Sequence, residues 1–195
     1  MPRQPDPDLE DRILDAAHTL WHRGGEKALT MRAVSRAART NTPALYRRFK
    51  DREDLIRGLL RRTAARMRQD FESGKSIEAM AEAYVESAVR LPHEYELFYT
   101  HARALNLPRG SGRLKPIRES RPNFAFLENL LAERLGGKPD DHTQLALAMW
   151  STLHGVAMLL LCKAIPPGHE EELRSAGRSA VKALLDGAAK FSERK

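Results

Sequence analysis

The sequence predicts an all-α protein with a small amino-terminal helical domain and a larger helical carboxy-terminal one. Two observations carry that expectation. Apolar residues recur at three- and four-residue spacing through segment after segment, the period of an amphipathic helix. Proline and glycine, 11 and 12 among 195 residues, cluster between those segments instead of spreading through them. Hydrophobic residues make up 42% of the chain, enough for a packed core and against global disorder.

Residues 1–8 hold three prolines among charged neighbours and read as a flexible arm. Arg3 is its only base beside Asp6 and Asp8, which argues for a plain tail. Leu9, Ile13, Ala16, Leu20 and Trp21 recur at helical spacing, so a helix is expected from about Leu9 to His22, stopped by Gly24-Gly25. Thr30 is the N-cap candidate of a short helix to about Ala37 that puts Met31, Val34 and Ala38 on one side. The turn Ala38-Arg39-Thr40-Asn41 leads to Thr42-Pro43. Proline fits the first turn of a helix, where no amide partner is lost, and Thr42 before it is read as the cap. This second short helix runs to about Phe49 and buries Leu45 and Phe49. Asp51 caps a longer helix, about Arg52 to Phe71, with Leu55, Ile56, Leu59, Leu60, Met67 and Phe71 inward.

Helices as short as the two between Thr30 and Phe49 hold only by packing on neighbours. Joined by a tight turn and braced from behind by the first helix, they follow the logic of a helix-turn-helix, in which one helix braces and the other enters the major groove of DNA. The charges agree. Between Arg23 and Lys50 stand Arg23, Lys27, Arg32, Arg36, Arg39, Arg47, Arg48 and Lys50 against Glu26 alone, a local charge of +7. The whole chain is also +7, so the rest balances. A local excess of this kind is an electrostatic footprint for a polyphosphate.

The run Ile13–Trp21 (ILDAAHTLW), the paired glycines, LTMRAVSRAA, and above all Thr42–Ile56 (TPALYRRFKDREDLI) resemble the amino-terminal domain of TetR-family transcriptional regulators, without a gap over about residues 9–60. Two departures stand out. Many relatives have Gly-Val in the turn where this chain has Arg39-Thr40. The turn wants a positive φ, which costs a non-glycine residue on the order of 1 kcal/mol. Either Arg39 accepts that strain or the turn is differently shaped. A histidine common before the phenylalanine is Arg48 here, which keeps a phosphate contact.

The resemblance implies a DNA-binding set of Thr30, Arg32, Thr40, Asn41, Thr42, Ala44, Tyr46, Arg47, Arg48, Lys50 and Arg52. Thr30 and the helix start it caps would meet a phosphate. Thr40, Asn41, Thr42 and Ala44 stand where residues face the groove floor. Tyr46 would donate its hydroxyl to a phosphate while its ring packs. Arg47, Arg48, Lys50 and Arg52 would hold the backbone or, for Arg47, a guanine edge. Short polar side chains at a helix start approach base edges, and flanking cations set register without reading sequence. The residues alone leave alternatives: Tyr46 as a packing tyrosine, and Arg36 and Arg52 as solvated charges.

The second half is also helical by pattern. Ile77–Leu91 carries Met80, Ala81, Tyr84, Ala88 and Leu91, and Pro92 breaks it. Glu94 to about Leu105 makes an aromatic helix with Tyr95, Phe98 and Tyr99. Leu107–Arg113 (LPRGSGR) is the least ordered-looking internal stretch. A helix from about Lys115 or Pro122 to Leu135 carries Phe124, Leu127, Leu130, Leu131 and Leu135, ended by Gly136-Gly137. The most apolar run, Leu145–Ile165, is about as long as a membrane span needs. Ser151, Thr152, His154, Gly155 and Lys163 interrupt it and nothing flanks it as a topology signal, so a buried core helix is expected and no membrane. The last helix, about Glu170 to Phe191, presents a stripe of Leu173, Ala176, Ala180, Leu184, Ala188 and Phe191. Ala176, Gly177, Ala180 and Ala183 permit close helix approach. Two copies of this helix pair suit a four-helix bundle across a two-fold axis, a homodimer through the last two helices. TetR-like proteins dimerise in that way, and WSTLHG (Trp150–Gly155) resembles the WHG-type carboxy-terminal domain of a subset of the family.

The expected domains are the arm 1–8, a DNA-binding domain 9–55 with its motif at 30–49, and a regulatory and dimerisation domain 56–195. The family's carboxy-terminal helices usually enclose a small-molecule pocket. Phe71, Tyr84, Tyr95, Phe98, Tyr99, Phe124, Trp150, His154 and Met158 are the candidates here, since aromatic and apolar walls with a few polar groups suit a ligand site; ordinary core is the competing reading of each. The implied partners are a double-stranded DNA operator, a small-molecule effector and a second copy of the chain, with no cofactor. Ser151 and His154 share a helix face, but no nearby carboxylate orients the histidine and no nucleophile-elbow glycines surround the serine, so catalysis is not expected. The seven histidines show no metal-ligand spacing. The sole cysteine, Cys162, and the start of the chain, which has no apolar targeting core, point to a reducing cytoplasm. Repression and activation are not separated by anything in the sequence.

Overall fold

The structure is a computed structural model that describes residues 6, 8–72, 74, 76–101 and 116–192. These form ten α-helices and one short 3₁₀ turn, with no strand among the described residues. In chain order they are α1 Leu9–Ala28, α2 Met31–Ala37, α3 Thr42–Arg48, α4 Arg52–Glu72, α5 Ile77–Arg90, α6 Pro92–Thr100, α7 Ile117–Ser120, α8 Pro122–Leu135, the 3₁₀ turn Pro139–His142, α9 Thr143–Leu161 and α10 Glu170–Ser192. The stretch Leu107–Arg113 and most of the arm lie outside the described residues.

The chain forms two compact units, residues 1–63 with 96–107, and residues 64–95 with 108–195. In the first, α1 is interrupted where Gly24 and Gly25 leave helical dihedrals, and the chain then resumes helix to Ala28. The paired glycines thus stop the first stretch of helix where the sequence places the stop, with Gly25 at φ 58, and a second short stretch follows. Ile13, Ala17, Leu29, Val34, Leu45, Leu55, Leu59 and Leu60 form the core of this unit, each fully or almost fully buried. Gly58 lets the Phe49 ring close onto α4: a Cβ there would lie 2.8 Å from Phe49 Cε1. Arg62 ties α4 to α1, with Nη1 donating to Asp11 O at 2.9 Å and Nη2 2.8 Å from Asp15. Asp51 caps α4 as expected, its carboxylate accepting from the Asp54 amide at 2.7 Å.

The second unit packs α5, α8, α9 and α10 around Phe71, Met80, Tyr84, Leu127, Leu131, Met149, Leu153 and Val181. Arg121 breaks the chain between α7 and α8, and Pro122 then opens α8. α9 ends at Leu161, short of Ile165. Lys163 turns left-handed at φ 50, and the amides of Lys163 and Ala164 donate to the carbonyls of Leu160 and Leu159. That is a Schellman cap, which halts a helix whatever its apolar content.

The stripe expected on α10 is offset. Gly177, Val181 and Leu185 are buried, while Leu173, Ala180, Leu184 and Ala188 are half-buried and Ala176 is exposed. A Cβ at Gly177 would meet Val156 Cγ2 at 2.9 Å, so the close approach of α9 and α10 turns on that residue. The apolar arc of α10 is broader than one neighbour covers, and periodicity does not say which part faces which neighbour. α9 is similar. The stretch Pro139–Leu161 has the length and composition of a membrane span, and only 28% of its most apolar part is buried, with Met158 and Leu159 exposed, so within one chain α9 is not the fully buried core helix expected from the sequence.

Candidate functional site

The helix-turn-helix is built by two side-chain caps and one strained residue. Thr30 Oγ1 accepts from the Ala33 amide at 3.1 Å and starts α2. Asn41 Oδ1 accepts from the Ala44 amide at 2.8 Å and starts α3. Asn41, not Thr42, is therefore the cap; Thr42 is the first helical residue, with Pro43 behind it. Between the caps, Arg39 sits at φ 52. Its amide donates to Arg36 O at 3.1 Å, and the Thr40 amide donates to Ser35 O at 2.9 Å. This is again a Schellman cap, with arginine in the place glycine usually takes. Arg39 accepts the positive φ, and the turn keeps its shape.

Ser35 gives no motif signal in the sequence, although it falls on the inner face of α2. It is 4% exposed, and its hydroxyl donates to Arg32 O at 3.1 Å and meets Thr42 Oγ1 at 3.3 Å. That pairing locks the start of α3 onto α2.

The predicted interface residues sort by exposure. Thr30, Arg32, Asn41, Tyr46, Arg47, Arg48 and Lys50 are exposed, Tyr46 by 49%, and Thr40 is half-buried. Tyr46 therefore does not pack as core. Arg48 Nη2 donates to Asp6 O at 3.2 Å, so the described end of the arm lies against the cationic rim. Two residues depart from expectation. Ala44 is 7% exposed, so its methyl has little surface left for a base edge; the packing that buries Leu45 also covers it. Arg52 is a structural clamp: Nε donates to Leu29 O at 2.9 Å, and Nη2 to Glu26 O at 3.1 Å and to the Glu26 carboxylate at 3.0 Å. These bonds commit the guanidinium to holding that loop, while 40% of the side chain remains exposed.

In the other unit, most of the candidate ligand residues form one cluster. Phe71 stacks on Tyr84 (ring centroids 6.2 Å apart), Tyr84 meets Tyr95 edge-on (6.0 Å), Tyr95 stacks on His154 (5.7 Å), and Phe124 lies 5.9 Å from Trp150. Hydrogen bonds thread the rings. Trp150 Nε1 donates to the Tyr84 hydroxyl at 3.1 Å, the Tyr84 and Tyr95 hydroxyls meet at 3.1 Å, and the Tyr95 hydroxyl meets His154 Nδ1 at 2.5 Å. Burial lowers the pKa of His154 below its ordinary value by disfavouring the charged ring. Phe98 and Tyr99 pair with each other at 5.6 Å within the amino-terminal unit. Met158 is 39% exposed, one turn beyond His154 at the surface end of the same face.

Two buried charges border the cluster that the sequence does not mark, since each reads there as an ordinary helix-surface residue. Arg121 is 8% exposed, with its guanidinium carbon 5.9 Å from the Trp150 ring centroid. Glu128 is 1% exposed; it accepts from Thr143 Oγ1 at 2.6 Å and lies 3.6 Å from Arg118 Nε. The interruption of the apolar series Phe124, Leu127, Leu131 by an acid beside Leu127 is the one signal that could have found it.

Comparison with known proteins agrees with this geometry. Residues 13–59 match the family described as bacterial regulatory proteins, tetR family. Residues 77–184 match the tetracyclin repressor-like C-terminal domain. No curated protein matches the chain. Among solved structures, a TetR-family transcriptional regulator from Streptomyces coelicolor is similar at TM-score 0.64 and 21% identity, covering 92% of this chain and 99% of that one. The multidrug binding protein EbrR, in complex with imidazole, is similar at TM-score 0.69 and 22% identity, over 94% and 93% of the two chains. TetR from Acinetobacter baumannii AYE is similar at TM-score 0.60 and 16% identity, over 97% and 99%. At these identities the structures speak for the fold, while the two family matches between them take in the capped helix-turn-helix and the WSTLHG helix. The chain therefore belongs to the TetR family of DNA-binding transcriptional regulators, which are transcription factors and not enzymes.

Proposed function

We propose that the protein is a cytoplasmic homodimeric repressor that leaves a near-palindromic operator when a small molecule binds the aromatic cluster of its carboxy-terminal unit. The observation that carries the DNA half is the exposed rim of Tyr46, Arg47, Arg48 and Lys50 beside the polar tip of Thr40 and Asn41. Cations at the rim would neutralise phosphates, and the tip would meet base edges. Thr42 and Pro43 complete the tip; Ala44 and Arg52 drop out of the interface.

Support for the dimer comes from the uncovered apolar surface of α9 and the half-buried arc of α10 beside Gly177, Val181 and Leu185. An apolar helix covered on one side needs a second cover, and a second copy supplies it without invoking lipid. Two recognition helices on a two-fold axis would read successive major grooves about 34–36 Å apart. α4 takes part in both units and is the proposed route of response. A coupling of about 1–3 kcal/mol between effector and operator is sufficient.

The test is selection of bound sequences from random duplexes by the purified protein at stated salt. A near-palindromic consensus with half-sites one helical turn apart is expected. Retention of all sequences alike would refute specific regulation. Footprint position relative to a promoter then separates repression from activation.

A further inference from the structure

Arg52, Arg57 and Arg62 of the amino-terminal unit each reach a carboxylate: Glu26 at 3.0 Å, Glu53 at 3.2 Å and Asp15 at 2.8 Å. Arg32, Arg36 and Arg39 do not. All three are exposed, and their side chains make no hydrogen bond or ion pair with any of the described residues. The sequence leaves them no acid nearby, since none occurs between Glu26 and Asp51. Arg32 and Arg36 lie one turn apart on α2, and Arg39 stands just past its end, directly before Thr40 and Asn41. Like charges one turn apart oppose a helix. The positive φ of Arg39 is a further cost that glycine would not carry. A strained residue kept in an exposed turn, with no contact of its own to hold it there, points to a role outside the fold.

Resting on the reading of Thr40, Asn41 and the α3 rim as the DNA interface, we propose that Arg36 and Arg39 hold phosphates of the duplex backbone and form a second cationic edge on the α2 side of the tip. Arg47, Arg48 and Lys50 follow the tip in the chain, and Arg36 and Arg39 precede it, so cations bracket it. The partner chemistry is a phosphate diester. A guanidinium presents a planar fork of donors that matches two phosphate oxygens. Such contacts fix register without reading sequence. Arginine in place of glycine thus lowers stability at the turn and strengthens the hold on DNA. The competing role is internal, because cations also suit a helix C-terminus. That role would show in stability, whereas a phosphate contact shows in binding.

The experiment uses the intact protein, the operator selected from random duplexes and an unrelated duplex of equal length. Affinity for both is followed over about 50–200 mM salt, beside urea midpoints. Arg36→Gln and Arg39→Gln should each weaken both duplexes by one factor, about three- to ten-fold, and lower the logarithmic salt slope by about 0.9. Arg39→Lys keeps the charge and should keep the slope. Arg39→Gly should bind as weakly as Arg39→Gln yet unfold at higher urea, so that its loss is not one of folding. Unchanged affinity and slope in either glutamine variant overturns the inference, and a lower midpoint there assigns the cation to the end of α2. Loss confined to the operator, at constant slope, makes the arginine a reader of bases and also overturns it. In these outcomes the unmodified protein still prefers its operator, so the DNA-binding reading stands. An unmodified protein without preference removes specific regulation, while the variants on the unrelated duplex still decide the phosphate role. No binding to either duplex removes both.

Discussion

Asn41 Oδ1 accepts from the Ala44 amide at 2.8 Å, so one exposed side chain both starts α3 and stands at the tip proposed to face the groove. These two roles separate by substitution. Asn41→Ala removes the cap and should cost about 1 kcal/mol of stability, together with base discrimination of about 1–3 kcal/mol. Asn41→Asp keeps the acceptor, so the melting temperature should hold. A new anion facing the duplex should still abolish binding. Thermal melts read alongside fluorescence anisotropy on the selected operator check both, and an Asp variant that binds normally would remove Asn41 from the interface.

Arg39 at φ 52 is a strained residue in an exposed turn. Arg39→Gly relieves a cost on the order of 1 kcal/mol, while the greater freedom of glycine in the unfolded chain takes part of that back. A net gain of a few tenths to about 1 kcal/mol is expected, read as a higher denaturant midpoint at constant m-value.

Gly58 sits within α4, where alanine is the better helix former by about 1 kcal/mol. The Phe49 ring would stand 2.8 Å from an added Cβ and is itself 5% exposed, so it has nowhere to go. Overpacking of this kind costs about 1–3 kcal/mol. Gly58→Ala is therefore expected to destabilise the protein despite its better propensity. A melting temperature that rises would show that Phe49 yields easily.

His154 gives the protein a pH dependence of definite sign. Burial lowers its pKa in the folded state below the ordinary 6.5. The unfolded chain then binds more protons than the folded one below that value, so this contribution is fully present above about pH 6.5 and is lost as pH falls toward the folded pKa. Urea midpoints of the unmodified protein and His154→Gln, measured over the same pH series, should converge on acidification. Parallel curves would place the imidazole in water in both states.

Tyr46→Phe and Arg47→Ala probe the rim. Tyr46 is 49% exposed, so loss of its hydroxyl should leave stability unchanged and weaken all operators alike. Arg47→Ala should also flatten the logarithmic salt dependence of binding, by about 0.9 for each phosphate the variant no longer neutralises. An unchanged salt slope would put the Arg47 guanidinium away from the DNA backbone.

Local order was legible in the sequence because local order is set by near neighbours. Thr30 and Asp51 cap as their positions suggested, since a cap needs only a side chain and an amide three residues on. The cap falls on Asn41, one residue before Thr42, a distinction that depends on dihedrals at the turn and not on residue type. The apolar period located the helices, and the concentrated charge between Arg23 and Lys50 marked a segment suited to nucleic acid.

What the chain determined by itself was thus its helices, its family and the kind of partner its basic segment suits, all carried by contiguous residues. Tertiary structure alone decided which arc of α10 is covered, that Arg52 holds a loop, that Phe98 and Tyr99 pair with each other in the amino-terminal unit, and that Trp150, Tyr84, Tyr95 and His154 are joined in one line of hydrogen bonds. Those outcomes join residues up to 70 positions apart in the chain, between Tyr84 and His154. A periodic pattern records that a side chain is buried, whereas its partner is chosen by how helices cross, and no run of neighbouring residues encodes that.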